Sequence, residues 1–376
     1  MPVHTVDVHQ LRNEVIQELG HLPEQALGFL DTHASAHFPE HLGGQTSGFL
    51  KRSIAIEELA RRQPGRGATL SAASLGTGLI LEGGNETQLR SWLPRLASCE
   101  EIMTICMTEP GSGSHLLGMS TTATKVPGGW IINGAKRYIG NSHIATAHGV
   151  IARTDPGNHR RALSAFAIPA STAGVSLGDR NDLMGLPGFS IGEVRFTDCF
   201  ISDEAIVGRE GDGLSLAHRV VSRHGKPNIG SLAIGLHARA LDKLVDYSGT
   251  RKLYGAPISE LPSVDREIAT SFANLYTSRL LMYDAVSSLD NGHTNEVGIG
   301  IAKLTASSHA VKARLHATTA IGAIGNHRDL GIVQTLLDAL MTAAPSGTED
   351  VILKRISEHV KRAPTQNRPT TPTLTS

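Results

Sequence analysis

The order in which hydrophobic periodicity changes along this 376-residue chain constrains its fold more than any other feature. From residue 5 to about residue 100, apolar side chains recur at helical spacing, as in the stripe that contains Leu11, Val15 and Leu19. The middle of the chain changes to short runs typical of strands, and helical spacing returns over residues 214–361. A Rossmann sheet would alternate strands and helices throughout, so this segregation predicts an α+β fold with a central β domain.

The strand-like runs of the middle region are short and closely spaced. Residues 121–125 are followed by a Pro-Gly-Gly turn, and residues 130–132 and 135–139 flank an Asn133-Gly134 pair that is typical of a two-residue hairpin turn. Three further runs lie at residues 148–153, 163–169 and 193–201. Such close spacing predicts an antiparallel sheet or a small barrel.

The charge balance and the absence of long apolar stretches exclude two classes of partner. The 35 basic and 35 acidic side chains balance, so no whole-protein field attracts nucleic acid or anionic lipid. No stretch approaches the roughly 20 apolar residues of a membrane span, and the N-terminus lacks the pattern of a secretion signal. We therefore expect a cytoplasmic protein that binds neither nucleic acid nor membranes.

The 18 histidines suggest a metal enzyme as a rival interpretation. No HExxH motif or Cys/His cluster stands at ligand spacing, and the Phe38-Pro39 pair between His37 and His41 interrupts a continuous helix face. We expect no metal site. The cysteines are too few and too scattered for a disulfide framework, and we expect small apolar side chains in a reducing compartment at Cys99, Cys106 and Cys199.

Residues 107–114, which read MTEPGSGS, carry the most chemical information. Gly111 and Gly113 allow the backbone to approach a ligand closely, and the hydroxyls of Thr108 and the two serines can hold oxygen atoms together with backbone N–H groups. The run is not a dinucleotide fingerprint, because the GxGxxG pattern would need glycine where Leu116 stands, and it lacks the Gly-Lys-Ser/Thr of a Walker loop. From the residues alone, it is either a ligand-binding loop or a plain turn.

The same run resembles the TEPxxGS signature of the acyl-CoA dehydrogenase family, which opens the central β domain and binds the flavin. Residues 138–141 read Tyr-Ile-Gly-Asn and resemble the second flavin-contacting strand of that family, which commonly reads Trp-Ile-Thr-Asn. Further resemblances follow in the family's order. Residues 38–44 resemble its FPEEYGG segment, and residues 85–97 resemble the stretch before its β domain. Residues 251–255 resemble its Arg-x-x-Phe-Gly element, residues 322–325 its Gly-Gly-x-Gly loop, and residues 347–348 its last catalytic loop.

This resemblance implies three domains and an assembly. They are an N-terminal α-helical domain over residues 1–102, a middle β-barrel domain over residues 103–212 that binds flavin, and a C-terminal four-helix-bundle domain over residues 213–363. Residues 364–376 are rich in proline and threonine, and we expect a disordered tail there. The resemblance also implies a homodimer or homotetramer, with FAD between barrel and bundle and its pyrophosphate reaching the neighbouring subunit.

The resemblance further assigns individual residues to FAD. Thr108 and Ser114 would contact the flavin or its phosphates, Tyr138 would lie against the isoalloxazine face, and Arg251 would neutralise the partner's pyrophosphate, since a guanidinium fork matches phosphate oxygens. The full set implied is Met107, Thr108, Gly113, Ser114, Tyr138, Gly140, Arg251, Tyr254, Thr319, Gly322 and Thr348.

The family's usual catalytic base is missing from this sequence. That carboxylate most often stands immediately before the last Gly-Thr, where this chain has Ser346, and in some members it stands on a bundle helix, where spacing gives Gly225. A serine hydroxyl is a poor base near neutral pH unless another group activates it. His224 titrates in a suitable range but, as a helical neighbour of Gly225, points about 100° away. We expect Glu349 and the acidic residue after it to be helix caps.

Other departures surround the flavin position. Gly140 lacks the hydroxyl that usually hydrogen-bonds near flavin N5, Thr319 replaces an expected glutamine, and Ala323 replaces a loop glycine. These changes predict weaker FAD binding or altered redox tuning.

Together these departures favour a specialised member of the family. We expect a dehydrogenase of secondary metabolism that oxidises an acyl group on an acyl carrier protein or CoA, as when hydroxymalonyl or aminomalonyl units are made for polyketides and hybrid peptides. Two alternatives remain open. One is a flavin monooxygenase-like relative that uses oxygen, and the other is a binding protein that has lost turnover. Arg160, Arg161, Arg223 and Lys226 are candidates to hold CoA phosphates or an acidic carrier protein, or to be solvated.

Overall fold

A computed structural model describes residues 7–20, 48–98 and 100–362. The expected FPEEYGG-like segment, the His37 and His41 pair, Cys99 and the expected tail lie outside the described residues. Four helices precede the first strand. They are α1 (Val8–Gly20), α2 (Gly48–Arg62), α3 (Pro64–Gly83) and α4 (Glu86–Ala97). Helix α4 begins with a capping box, in which Asn85 Oδ1 accepts from Gln88 N and Gln88 Oε1 accepts from Asn85 N.

The middle of the chain forms one eight-stranded sheet. Its strands are β1 (Met103–Cys106), β2 (Thr122–Val126), β3 (Gly129–Gly140), β4 (Ala147–Arg153), β5 (Leu163–Pro169), β6 (Val175–Arg180), β7 (Ile191–Ser202) and β8 (Ile206–Val207). The strands pair in the order β6-β7-β3-β2-β4-β5-β8, and β1 pairs with β4. This order is an open path among the described residues and not the closed barrel that we expected. Two pairs, β1–β4 and β2–β4, are parallel, so the sheet is not purely antiparallel.

The Asn133-Gly134 pair is not a hairpin turn, and that prediction is wrong. Residues on both sides of the pair belong to the single strand β3, whose pairing with β7 shifts register between Ile132 and Gly134. The Asn133 side chain donates to Asp198 Oδ1 at 3.1 Å and accepts from Asp198 N at 2.8 Å. Gly134 has a φ of 146°, and a Cβ there would lie 2.5 Å from Thr121 Oγ1. Asn133 therefore lies opposite two residues of β7, so the register shift is a β-bulge whose extra residue is on β7, and the close approach suits glycine at position 134.

Helices return after the sheet. They are α5 (Gly213–Val220), α6 (Lys226–Thr250), α7 (Pro262–Asp290), α8 (Glu296–Ala320), α9 (Ile332–Leu340) and α10 (Glu349–Arg362). One π-helical turn, Val221–Gly225, joins α5 to α6. A short hairpin of β9 (Lys252–Leu253) and β10 (Ala256–Pro257) interrupts the helices after α6. The long helices α6, α7 and α8 pack on one another, and α2 packs against α6 and α7. The contact of α2 with α6 and α7 joins the helices before the sheet to the helices after it.

A buried carboxylate fastens that junction. Glu57 on α2 is fully buried and accepts from Arg12 on α1, and from Arg279 and Tyr283 on α7. Burial alone would raise the pKa of Glu57, but the two guanidinium groups outweigh burial and lower it. Removing one partner of such a buried pair leaves an uncompensated charge, so the network fixes how α1, α2 and α7 meet.

Candidate functional site

The loop over residues 107–114 lies directly beside strand β3. Arg137 N donates to the Thr108 carbonyl at 2.8 Å. Because Arg137 directly precedes Tyr138, this bond brings Thr108 close to Tyr138. Within the loop, Glu109 and Ser112 bond each other through their backbones, so the chain turns tightly at Pro110-Gly111. A Cβ at Gly111 would meet no atom within 4 Å, and residues 113–115 are exposed. The structure therefore brings the predicted ligand loop and Tyr138 together on one open surface.

A buried ion pair holds this loop from beneath. Lys136 Nζ lies 2.8 Å from Glu109 Oε1, and both side chains are almost completely buried. Glu109 also accepts from Ser120 N, Ser120 Oγ and Thr121 N. Burial alone would raise the pKa of Glu109, but the Lys136 ammonium and these hydrogen bonds lower it to about 2. Sequence reasoning did not give a role to Glu109 or Lys136, because only the bulged register of β3 shows that they meet.

Tyr138 offers an exposed aromatic face. Its side chain is 58% exposed, and the guanidinium of Arg137 lies 5.1 Å from its ring centroid. Its φ of 57° is in the left-handed region, which non-glycine residues adopt rarely. Two residues further on, a Cβ at Gly140 would lie 3.0 Å from the Phe189 ring and 3.2 Å from Ala72 Cβ. Phe189 therefore lies against Gly140, where a larger residue would place its side chain.

Four other predicted residues gather at one end of the helical region. Arg251 and Tyr254 lie on the β9–β10 hairpin, where both are exposed and Tyr254 is 96% exposed. Thr319 and Gly322 lie where α8 ends, and both are exposed as well. One apolar cluster fixes the two segments together through Leu244, Ile258, Ala317, Ile321 and Ile332. The side chains of Arg251, Tyr254 and Thr319 are thus exposed on the surface at this end of the helical region.

The two positions at which the usual carboxylate was sought are in contact. A Cβ on Gly225, at the end of the π-helical turn, would lie 2.6 Å from Ser346 Oγ and 3.3 Å from Leu75 Cδ1. Ser346 has a φ of 58°, and Gly347 after it has a φ of 113°. No described residue hydrogen-bonds to Ser346 Oγ, so nothing in the described part of the chain activates it as a base. Two distant stretches of sequence therefore converge on one point that carries no acid.

His224 is directed away from that point. Its Nδ1 lies 3.2 Å from Arg52 Nη1 and its Nε2 lies 3.1 Å from Glu82 Oε1, so both ring nitrogens face residues of α2 and α3. Burial lowers the pKa of His224 to about 4, although the hydrogen bond to Glu82 opposes this. The structure does not bring the imidazole to Ser346, and this geometry disfavours the predicted role of His224 as a base.

Two buried lysines that the sequence did not single out as catalytic lie close to the two base positions, one in contact with the Ser346 loop and the other next to Gly225 along the chain. Lys303 on α8 is buried, and its Nζ donates to the carbonyls of Ala343 and Gly347 at 2.8 and 3.0 Å. Lys226 begins α6 directly after Gly225, is 4% exposed, and lies 3.3 Å from Ser222 Oγ. The sequence contained one indication of their position, which is that Lys226 adjoins Gly225, the alternative base position. The burial of the two lysines could not be predicted from the spacing of residues.

The end of the loop is a helix N-terminus, as expected. Thr348 precedes α10 and its carbonyl accepts from Ile352 N, and Glu349 and Asp350 occupy the first turn of that helix. Acidic side chains there complement the positive end of the helix dipole.

Comparison with known proteins covers almost all of the chain. Residues 9–100, 104–199 and 211–361 match the N-terminal, middle and C-terminal domain models of acyl-CoA dehydrogenase. The mitochondrial short-chain specific acyl-CoA dehydrogenase of Homo sapiens is 32% identical over 326 residues, which are 86% of this chain and 79% of the human protein. The chain belongs to the acyl-CoA dehydrogenase family.

Solved structures agree with this acyl-CoA dehydrogenase assignment. Butyryl-CoA dehydrogenase from Megasphaera elsdenii superposes with a TM-score of 0.87 at 26% identity, over 96% of this chain and 100% of that one. The FAD complex of PigA superposes with a TM-score of 0.85 at 26% identity, over 96% and 99% of the two chains. The protein is therefore an acyl-CoA dehydrogenase-like, FAD-dependent oxidoreductase.

The residues present in this chain fit FAD. The open space at Gly111, the exposed residues 113–115 and the exposed face of Tyr138 leave room for an extended ligand beside the sheet. In the described ranges, no helix is long and apolar enough to cross a membrane. The same ranges contain no group of three or more metal-ligating side chains.

Proposed function

We propose that this protein is a FAD-dependent dehydrogenase that oxidises a small hydroxy- or amino-substituted acyl thioester on an acyl carrier protein, for polyketide or nonribosomal peptide biosynthesis. Formation of hydroxymalonyl- or aminomalonyl-carrier intermediates represents this reaction class. The observation that carries the proposal is the contact between Gly225 and Ser346, where both positions of the family's base lack a carboxylate.

The missing carboxylate decides the class of oxidation. Removal of an α-proton from an ordinary acyl thioester needs a base near neutral pH, and a serine without an activating partner is not one. Oxidation of a carbinol carbon, or of an aldehyde hydrate, takes its proton from an O–H group, and oxidation of an amino-substituted carbon takes it from an ammonium N–H group; both groups are more acidic than the α-C–H group of a thioester. Loss of the glutamate therefore favours an alcohol-type or amine-type oxidation over the desaturation of an acyl chain.

Bound FAD supplies the two-electron oxidation in this proposal. Met107, Thr108, Gly113 and Ser114 would hold it with Tyr138 and Gly140 from the β domain of one subunit. The exposed Arg251, Tyr254, Thr319 and Gly322 would reach the FAD of a neighbouring subunit, and Thr348 would lie at the catalytic loop. This division predicts a homodimer or homotetramer. An exposed apolar stripe of Phe272, Tyr276 and Leu280 along α7 suits such self-association.

A cleft rich in basic side chains is suited to bind the phosphate group of a carrier. A cavity of about 490 Å³ lies among α5, α8 and α10, and its lining combines four arginines and two histidines with two glutamates. Its charged lining residues are Arg160, His218, Arg219, Glu296, Arg355, Glu358, His359 and Arg362. An arginine-rich cleft suits the phosphate of a pantetheine arm, which an acyl carrier protein and CoA share. We favour the carrier protein because arginine pairs would also meet its acidic helices.

Of the four basic residues considered from the sequence, one lines this cleft. Arg160 is in the cleft, Arg161 donates to the Glu210 carbonyl, Arg223 lies 3.3 Å from Glu82, and Lys226 is buried. Arg160 is therefore the one we assign to the carrier.

The test is the flavin absorbance of the purified holoenzyme, followed anaerobically. Hydroxyacyl and aminoacyl groups are offered on an acyl carrier protein and on CoA, with the unsubstituted butyryl thioesters as controls. Bleaching by a substituted acyl group on the carrier supports the proposal, and bleaching by butyryl-CoA alone contradicts it. A product that carries an oxygen atom from O₂ would instead identify a monooxygenase. A protein that binds no FAD after reconstitution would identify a repurposed fold.

The cleft is tested with a charge reversal. Arg355→Glu should raise the KM for the carrier-bound substrate by about 10-fold or more. The reason is that it removes the hydrogen bond between the arginine and a phosphate or carboxylate of the carrier, which contributes about 1.5–3 kcal/mol. Arg90→Glu, on the exposed face of α4, is the matched control and should leave KM unchanged. An equal effect of both variants would reject the cleft as the docking site.

A further inference from the structure

We propose that a cavity between the α2–α3 junction, the loop before β7 and helices α6 and α9 binds the phosphate group of a small organic phosphate. The cavity has a volume of about 610 Å³, which is within the range of small-molecule sites. None of the residues assigned above to FAD or to the carrier lines it. The site is therefore additional to the proposed oxidation and does not depend on the acyl substrate.

The walls of this cavity come from all three parts of the fold. The end of α2 and the first turns of α3 form one wall, Pro187-Gly188 of the loop before β7 forms another, and α6 with α9 forms the third. A hydrogen bond joins two of the walls, because Leu186 N donates to Asp338 Oδ1 at 2.7 Å. Cavities between domains are common places for ligands to bind.

Cationic side chains outnumber acids in this lining. The charged lining residues are Arg62, Arg66, Arg239, Lys243 and Asp338. Asp338, the one acid among the described lining residues, is already engaged, since its Oδ1 also accepts from Gln334 Nε2 at 2.9 Å. The four cations therefore face the cavity with little opposing charge.

A buried arginine nearby adds to the positive charge. Arg314 on α8 is fully buried, and its Nε and Nη2 have no hydrogen-bond partner in the described part of the chain. Burial lowers the pKa of Arg314 to about 9, Asp338 opposes this shift, and Arg239 adds to it. The carboxylate of Asp338 thus acts on Arg314 as well, and it cannot balance the cations of the cavity by itself.

Two of the lining cations lie on one face of a helix. Arg239 and Lys243 are four residues apart on α6, a spacing at which like charges repel. Both are held in position by backbone carbonyls, Arg239 Nη1 by those of Arg61 and Arg62 at 3.0 and 2.9 Å, and Lys243 Nζ by that of Leu330 at 2.8 Å. Each cation retains further N–H donors, and a bound anion would relieve the repulsion between them.

Two neighbouring arginines at the end of α2 differ in their partners. Arg61 donates to both carboxylate oxygens of Asp242, at 2.6 and 2.9 Å. The side chain of Arg62 is exposed and lines the cavity, and it makes no hydrogen bond or ion pair with a described residue. A guanidinium fork without a carboxylate partner is suited to the oxygens of a phosphate group.

The rest of the lining favours an organic phosphate over a bare ion. Pro64, Ile144 and Pro187 add apolar surface beside the cations. A phosphate ion alone would fill only a small part of the cavity, whereas a ribose or a base attached to it would also contact this apolar surface. The side chain of Gln63 does not cap α3, so the phosphate can also accept from the first N–H groups of that helix.

The first test is calorimetric titration of the holoenzyme, with excess FAD present so that the FAD site is filled. The probes are inorganic phosphate, ribose 5-phosphate and AMP. We expect saturable binding of AMP at one site per chain, and tighter binding of AMP than of phosphate. Equal affinities would reject an organic ligand and overturn the proposal. Absence of any binding tighter than about 1 mM would overturn it as well.

Substitution of Arg62 tests whether the probe binds in this cavity. Arg62→Gln should weaken AMP binding by about 10- to 100-fold, because it removes one charge-assisted bond to the phosphate. Arg61→Gln is the matched control, since its guanidinium is held by Asp242, and it should bind AMP as the wild type does. Arg355→Glu disables the carrier cleft and should leave the Arg62-dependent binding unchanged. Full affinity in Arg62→Gln, or an equal loss in Arg61→Gln, would overturn the proposal.

A second variant tests the opposite wall. AMP should raise the Tm of the wild-type holoenzyme, because a ligand that binds only the folded chain stabilises it. Lys243→Gln should lose most of this increase, and its Tm without AMP measures any effect of the lost bond to Leu330 separately. An increase as large as that of the wild type would contradict the proposal. Neither measurement uses flavin reduction, so a failure of the proposed oxidation would leave both results interpretable.

Discussion

Lys136 Nζ lies 2.8 Å from Glu109 Oε1 beneath the 107–114 loop, and both side chains are buried. The pair connects the bulged strand β3 to the turn that carries Thr108, since Lys136 also donates to the Met107 carbonyl at 3.3 Å. The loop that we assign to FAD is therefore held by a buried charge pair in addition to its own backbone hydrogen bonds.

Lys136→Met should weaken both the fold and FAD binding. It leaves Glu109 as an unpaired buried carboxylate, and removing one partner of a buried pair costs about 3–5 kcal/mol. The measurement is the denaturant-induced unfolding of the apoprotein together with FAD affinity by titration. The double variant Glu109→Leu with Lys136→Met removes both charges and should recover most of the unfolding free energy. If the double variant is no more stable than the single one, the unpaired charge is not the cause.

A glutamate at either empty base position should create the family's ordinary reaction. Ser346→Glu, and separately Gly225→Glu combined with Ser346→Gly, would each place a carboxylate at the point where the two residues meet. We expect both variants to reduce the flavin with butyryl-CoA at least about 100-fold faster than wild-type protein, the lower range for an added general base. Ser346→Gln has the same shape without the acid and should show no gain. A gain with glutamine would mean that room, and not basicity, limits the reaction.

Loss of Arg251 should weaken FAD binding without weakening the fold. Arg251 is exposed on the hairpin after α6 and contributes little to the core, whereas a charge-assisted bond to a phosphate contributes about 1.5–3 kcal/mol. Arg251→Gln should therefore raise the FAD dissociation constant by about 10- to 100-fold. Lys252→Gln, the exposed neighbour, is the control for a lost charge at the hairpin. Equal losses in both variants would point to a general field effect and not to a bound phosphate.

The sequence predicted the parts of this molecule that depend on local pattern. Strand β5 ends where the apolar run ends, and Glu349 begins a helix as its acidic N-terminal pattern indicated. The resemblance also indicated two alternative positions for the base, at Gly225 and Ser346. Only the structure shows that these two positions are in contact, because their spacing along the chain does not predict it. The contact shows why a carboxylate on either segment would reach the same point, because a Cβ added to Gly225 would lie 2.6 Å from Ser346 Oγ.

The parts that were missed depend on contacts between distant segments. Asn133-Gly134 has the composition of a turn, but Asn133 hydrogen-bonds to Asp198, 65 residues away, at a β-bulge of β7. The parallel pairing of β1 with β4 and the burial of Lys226 and Lys303 are likewise decided by packing. Phe189 beside Gly140 belongs to the same class, since a glycine in the sequence does not show which side chain fills its place.

A buried histidine in the sheet should make the fold sensitive to acid. His148 on β4 is fully buried, with its Nδ1 3.9 Å from Cys106 Sγ, and no hydrogen-bond partner of its Nε2 is found in the described part of the chain. Burial lowers its pKa from 6.5 to about 4. Between these values the unfolded chain binds the proton and the folded chain does not. The free energy of unfolding should thus fall by about 1.4 kcal/mol for each pH unit as the pH drops from 6.5 toward 4, and the loss should level off below pH 4.

His148→Gln isolates this contribution, because glutamine keeps a polar group at the site but does not titrate. The difference in unfolding free energy between wild type and variant, measured by urea denaturation at several pH values, should carry the slope of about 1.4 kcal/mol per pH unit. His293→Gln, an exposed histidine after α7, is the control for removal of one histidine from the chain. His224 and His237 are buried with pKa values lowered to about 4 and about 3, so the wild-type slope should be steeper than that of His148 alone. A variant whose slope matches that of the wild type would show that His148 is protonated in the folded protein, or reached by water, and that the sheet interior around Cys106 is more polar than its packing indicates.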